Sequence, residues 1–485
     1  MYTNFTYQDW VKAKESDRPK LAFTIADDYR ATQEFSTGLD AELYFIGSNP
    51  TILRRKKLQL DGVQTHAEPG QPPKSIPING EVATAKIPSN HIFRFVTQQN
   101  QFLLSNGLKI NDDKESGMDG KDIKAKLGRG FDKTLEQIGE KALLHGVCYG
   151  FYNLDRVEMI PAVRGTDGGA VALVDEVTSE IRVLIQFWRI SEKRPRYARI
   201  FEADGVTLVE YGGTVKVLEP KRAYVTRTVR DGFGATTEAV ASAQRLPIVA
   251  FAANGYQRSE LTDSLRQKLD AYDVILSDFA DNLERTNDVY WAISNFGGTA
   301  DEVIAMLAEI NRIKAVYAES PDSGQASATP HTIDVPHEAR VKALELLEKA
   351  MYKDYMALNL EELSGGSLTN VAIKAAMANL NLKADRYEWQ AFAFCQGLLE
   401  LAGVQTENIA FRRQTISNEE EIIQAIYTAR SDLTRKKALE LNPMIADDEI
   451  AQLLIDKAVE DVAGQPSMDD LQATLDAGGN DGQSA

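Results

Sequence analysis

Between residues 369 and 402 apolar side chains fall at Ile373, Met377, Leu380, Ala384, Tyr387, Ala391, Phe394, Leu398 and Leu401, in alternating steps of four and three. That spacing keeps all of them on one stripe of an α-helix. An unbroken helix over 369–402 would be about 50 Å long at the usual rise per residue. This exceeds the normal range for a core helix, and its many alanines let neighbours approach closely. Such a strut commits the chain to an architecture built around long rods.

Two further stripes share the pattern. Leu261, Leu265, Leu269, Tyr272, Leu276, Phe279 and Leu283 mark a helix over 259–284, with Ser259 as N-cap and Glu260 in the first turn. Val341, Leu344, Leu347, Met351, Tyr355 and Leu358 mark another over 337–357. Between them lies a compact insert. It reads as a strand over 289–296, a Gly297-Gly298 turn, a short helix over 299–310, and strands near 313–317 and 331–335, with SPDSGQASATP as an exposed tip. Helices flanking a small insert are expected to pair antiparallel.

The N-terminal half reads differently. QTHAEPGQPPKSIPING, over 64–80, is an exposed loop or linker by its Pro and Gly content. Short helices fit 91–105 and 131–145. A strand fits 183–190, and RYARIFEADGVTLVEYGG reads as a hairpin in which Asp204-Gly205 supplies the φ > 0 residues of the turn. VKVLEP and AYVTRT add strands, and the β-rich region closes near 246–249. Beyond the long helix come a strand over 409–416, a helical remainder from Asn418 broken near Asn442-Pro443, and a polar, acidic tail. The fold class is α+β.

A length of 485 residues predicts two to four domains. No run of eighteen apolar residues occurs, so no membrane span is expected. MYTNFTYQDWVKAKESDRPK lacks the apolar centre of a signal peptide, so synthesis is expected in a cytoplasm. Cys148 and Cys395 sit far apart in apolar surroundings and read as buried, inert thiols. The net charge of −17 excludes a broad basic surface for gripping nucleic acid.

The chemical motifs fail one by one. GMDGKD at Gly117 has Asp after its lysine where a Walker loop needs Ser or Thr, and GRGFDK at Gly128 lacks the third glycine of a dinucleotide fingerprint. His331 and His337 are the closest histidine pair and read as surface residues rather than metal ligands. Glu361-Glu362 and Asp27-Asp28 point in different directions along a backbone and read as solvated charge. An enzyme has no residues to stand on here, and no cofactor or metal is expected.

What remains is LEELSGGSLTNVAIKAAM, over 360–377, a Gly- and Ser-rich hinge before the long helix. No Lys-Ser/Thr pair follows, so it is no phosphate cradle; a helix lead-in or a projecting loop fits. The flanks give it context. From about residue 246 to 462 the chain resembles the portal proteins of tailed double-stranded DNA bacteriophages, of the long-tailed type. LPIVAFAANGYQRSELTDSLRQKLDAYDVILSDFADNLE carries the resemblance at Leu246, Pro247, Ile248, Asn254, Leu269, Asp270, Tyr272, Asp273 and Ser277. LSGGSLTNVAIKAAMANLNLKADRYE matches the family's Gly-rich loop and following Ala- and Leu-rich helix, and FRRQTISNEEEIIQAI the strand and helix start after it. Residues 1–245 match more loosely, through FRFVTQQNQFLLSNG and GVCYGFYN.

The resemblance implies a ring, typically dodecameric, at one vertex of the capsid, passing double-stranded DNA without sequence specificity. It implies a wing over 1–255, stem helices over 256–284 and 337–357, and a clip over 285–336. It further implies a tunnel loop over 358–368, a long helix and strand over 369–417, and a crown over 418–485. The implied loop residues are Asn359, Glu361, Glu362, Ser364, Gly365, Gly366, Ser367 and Leu368; Asn295, Gly297, Gly298, Glu319 and Asp322 would meet partners at the clip. Implied partners are the large terminase subunit, a head-completion or adaptor protein, and the major capsid and scaffolding proteins, in a virion assembled in the host bacterial cytoplasm. Twelve copies would carry roughly −200, so the duplex would be repelled rather than trapped. Lys342, Lys349 and Lys353 share one helical face and are candidates for transient phosphate contacts; the plainer reading pairs them with Glu338, Glu345 and Glu348. The alternative is another structural virion or scaffold protein without a channel.

Overall fold

The computed structural model describes residues 3–55, 63–64, 75–76, 85–111, 119–230, 236–241, 245–285, 290–294, 327–331, 337–359, 370–406, 408–413, 419–429, 433–442, 445, 450 and 452–456. The chain forms two units, Met1–Ala357 with Leu382–Gln414, and Leu358–Asn381 with Thr415–Ala485. It is a mixed helix and sheet protein.

In the first unit, an antiparallel five-stranded meander runs through Gly169–Val174, Ile181–Arg189, Arg196–Glu202, Gly205–Tyr211 and Val215–Arg222. Its second strand, Ile181–Arg189, is mostly apolar because both faces are covered. Val183, Ile185 and Phe187 point to one side, where the N-terminal helices contribute Trp10, Phe23, Tyr29 and Phe35. Leu184 points to the other, against Val147, Tyr149 and Ile248 of a second, three-stranded sheet. That sheet, ordered Ile248–Ala252, Val147–Asn153, Arg156–Pro161, is antiparallel too.

The largest core gathers helices His91–Leu104, Phe131–His145 and the greater part of Ala378–Leu401, with Leu103, Leu135, Phe251, Tyr387 and Phe394 inside. Helix approach is close: a Cβ on Gly139 would meet Tyr387 Oη at 2.4 Å and Asn100 Oδ1 at 2.5 Å, so only glycine fits there. Both cysteines are buried here, and burial pushes each thiol up.

Several expectations shift. The first 45 residues, where periodicity assigns no element, contain Tyr7–Lys12, Arg18–Arg30 and Gln33–Phe45, capped by Thr6 and Thr32 side chains at the first and third. The predicted hairpin forms, but Glu202 pairs with Gly205, so the loop is Ala203-Asp204. Asp204 is not among the positive-φ residues. The helix expected from 259 begins at Asp263. Glu260 N–H donates to the Leu143 carbonyl (2.9 Å), which holds that residue off the helix, and Thr262 Oγ1 accepts from Leu265 N–H in the capping role assigned to Ser259. The rod expected to be unbroken over 369–402 is two helices, Asn370–Ala376 and Ala378–Leu401, interrupted at Met377.

Asp27 and Asp28 are not idle solvated charges. Arg196 donates to both Asp27 oxygens, at 2.7 and 3.0 Å, and Asp28 accepts from Thr3 and Asn4. Of the insert, Tyr290–Ser294 pairs antiparallel with Ser327–His331, a strand that takes residues sequence assigned to the exposed tip. The rest of the insert and most of 64–80 lie outside the described residues. In the second unit, Asn370–Ala376, Glu419–Thr428 and Arg435–Leu441 are helical, the last capped by Thr434.

Candidate functional site

Helices Asp263–Arg285 and His337–Tyr355 pack antiparallel. Asp354 accepts from Ser264 Oγ (3.1 Å) and pairs with Lys268 at one end, while His337 meets Phe279 edge-on at 5.7 Å near the other. On the second helix Met351 and Tyr355 are buried. At 100° per residue, Lys342, Lys349 and Lys353 lie within about 40° of one another on the opposite side. All three are exposed. Lys342 pairs with Glu345 at 2.9 Å, both ends in solvent, as the plainer reading had it.

Of the candidate loop, Asn359 is described and half-buried. Glu361, Glu362, Ser364, Gly365, Gly366, Ser367 and Leu368 lie outside the described residues, as do Asn295, Gly297, Gly298, Glu319 and Asp322.

The described ends around that loop carry what sequence reasoning missed. Lys383 Nζ pairs with Glu260 Oε2 at 2.7 Å, donates to the Tyr355 carbonyl at 2.9 Å and sits 3.2 Å from the Tyr355 ring centroid. Burial lowers the Lys383 pKa against the pull of Glu260. Tyr355 Oη donates to Gln99 Oε1 at 2.7 Å, and Tyr387 Oη to Asn100 Oδ1 at 2.9 Å. Lys383 thereby ties Ala378–Leu401 to the end of helix His337–Tyr355 and to Glu260, and the two tyrosine hydroxyls tie both helices to His91–Leu104. The signal was a lysine among the polar positions of an otherwise Ala- and Leu-rich stretch, and by spacing alone it reads as surface.

A second missed feature lies on helix Asp263–Arg285. Its buried row runs through Leu265, Leu269, Asp273, Ser277 and Asp281, turning from apolar to polar midway. The polar half holds an extended segment running antiparallel to the helix. Ala85 N–H donates to Asp281 (2.6 Å), Ile87 N–H to Ser277 Oγ (3.1 Å) and Ser89 N–H to Asp273 (2.9 Å). The match is geometric: two extended residues advance about 6.6 Å, and four helical residues about 6 Å. Pro88, which has no N–H, falls at a position that does not donate. Asn49 Nδ2 also donates to Asp273 (2.6 Å) and Asp270 (3.1 Å), and Arg55 pairs with Asp278 at 2.6 Å. Asp270, Asp273 and Ser277 were singled out only as part of a family pattern; here Asp273 and Ser277 satisfy backbone donors, and Asp270 accepts from the Tyr44, Asn49 and Thr51 side chains.

Among the described residues, no group of His, Cys, Asp and Glu has the geometry of a metal site, and no helix is long and apolar enough to cross a membrane. The described site is a set of rods and their fastenings. The chain belongs to the phage portal protein family of the SPP1 Gp6-like type, whose family model matches residues 74–462. A curated relative, a portal protein of Clostridium phage phiCD119, is 26% identical over 220 residues, 43% of this chain and 48% of the relative. The chain thus matches about half the length of that relative. A solved structure described as the neck of an empty GTA particle aligns with 73% of this chain and 90% of its own, at 12% identity and a TM-score of 0.41.

Proposed function

We propose that this protein is a portal subunit: copies assemble into a ring, twelve by expectation, around a channel through which the phage genome enters and leaves the capsid. The reading rests chiefly on the family match across 74–462. The paired helices are the stem, the insert is the clip that docks terminase and head-completion proteins, and residues 358–368 are the tunnel loop. Residues 1–255 with 369–417 make the wing, and 418–485 the crown. The subunit performs no catalysis; a separate motor supplies the work.

The charge is consistent with this role. At −17 per chain the ring repels a duplex at long range, while the exposed face of Lys342, Lys349 and Lys353 offers brief phosphate contacts. A channel that bound tightly would stall its cargo. Electron micrographs of the purified protein test the reading directly: rings with an axial hole wide enough for a duplex are expected, and solid particles refute it. Replacing the three lysines by glutamate should leave rings and thermal unfolding unchanged while reducing DNA packaged per particle. Packaging at the wild-type level would remove them from the channel.

A further inference from the structure

The five-stranded sheet ends in two neighbouring hairpin tips, residues 190–195 and 212–214, which border a cleft of about 580 Å³. Arg189 is spent on the fold: its guanidinium donates to the carbonyls of Glu192 and Arg194 and so shapes the first tip. Arg196, also on the lining, is held bidentate by Asp27. That leaves Lys193, Arg194 and Lys216, all exposed, and none has an ion-pair partner among the described residues. Three unneutralised cations at one cleft contrast with a chain whose net charge is −17.

Identical subunits at −17 repel one another, so a ring of them needs local sites where opposite charges meet. From this we infer that the hairpin-tip cleft is the socket of the contact between neighbouring copies, and that it seats an acidic surface of the next chain. The inference rests on the ring assembly proposed above. A head-to-tail ring contact presents two different surfaces, so a basic patch on one side needs no copy of itself on the other.

The experiment compares the full-length wild-type chain with the triple variant K193E, R194E, K216E and the conservative triple variant K193R, R194K, K216R, by light scattering and negative-stain imaging over a salt series. Wild-type assembly should weaken as salt rises. The reversed variant should need a concentration about tenfold higher for half assembly, with unchanged circular dichroism and melting of the monomer, and the conservative variant should match wild type. Should the reversed variant misfold, the triple alanine variant is measured in its place and should show the same direction. Rings formed by the variant at the wild-type concentration overturn the socket and leave the portal reading intact. Wild-type protein that forms no ring under any condition overturns the portal reading itself. Normal ring assembly by the reversed variant, with loss of a duplex-DNA mobility shift that wild type shows, makes the cleft a phosphate site and also overturns the socket.

Discussion

The two halves of helix Asp263–Arg285 bury the same row of positions by opposite means. Near its start, Leu265 and Leu269 enter the main core, and their contribution is set by apolar area and fit. Further along, Asp273 and Ser277 are as inaccessible as the leucines, yet they face a strap of backbone whose N–H groups need acceptors. An apolar row accepts any neighbour of suitable shape, whereas a polar row specifies one segment in one register. The difference is between holding on and holding in place.

The largest effect should come from the apolar half. Leu269→Ala should cost about 3 kcal/mol, read as a lower denaturant midpoint, since a fully buried side chain leaves a cavity. Asp273→Ala should cost about 2 kcal/mol, because it strands the Ser89 N–H without its acceptor and leaves the Asn49 amide only its longer bond to Asp270. The two variants should part company in amide hydrogen exchange. The Ser89 and Ile87 amides should exchange faster in Asp273→Ala than its lost global stability explains, and in step with global stability in Leu269→Ala. Equal behaviour would mean that the strap is held by general packing and not by the carboxylate.

A third polar fastening lies off this helix and should matter least at neutral pH. Burial raises the pKa of Glu42, but hydrogen bonds from His145 and Lys141 together outweigh it and hold the carboxyl at about 2. The folded value lies below the unfolded one, so this stabilisation is complete above the usual carboxylate range and disappears as pH falls toward 2. Glu42→Gln should cost about 1 kcal/mol near pH 7 after allowance for partial exposure, and should flatten the loss of stability between pH 4.5 and 3. An unchanged acid limb would show that other carboxylates govern it.

How much of this could be read beforehand depends on the kind of interaction. Ala384, Tyr387, Ala391, Phe394 and Leu398 were legible as one buried stripe, because apolar periodicity reports burial directly. The helices over 18–30 and 33–45 were not, since Phe23, Ile25, Tyr29 and Phe35 are spread over short segments whose partner, the face of a sheet, is built from residues about 150 positions later. Ser259 and Glu260 look like a helix start, and local preference lost there to the Leu143 carbonyl and Lys383. Of the candidate site, the face shared by Lys342, Lys349 and Lys353 followed from angular spacing alone. The clamp around Lys383 did not, because a buried lysine and a solvated one are spelled the same way.

Periodicity in one dimension therefore settled where the rods run and which stripe each one buries, because side-chain direction in a helix is a property of the local backbone. Whether Asp273 would sit in water or beneath a strap, and whether Glu260 would cap a helix or meet a lysine, depended on chain segments distant in sequence. Polar groups take their meaning from whichever partner folding brings within hydrogen-bonding distance, and no local pattern records that partner.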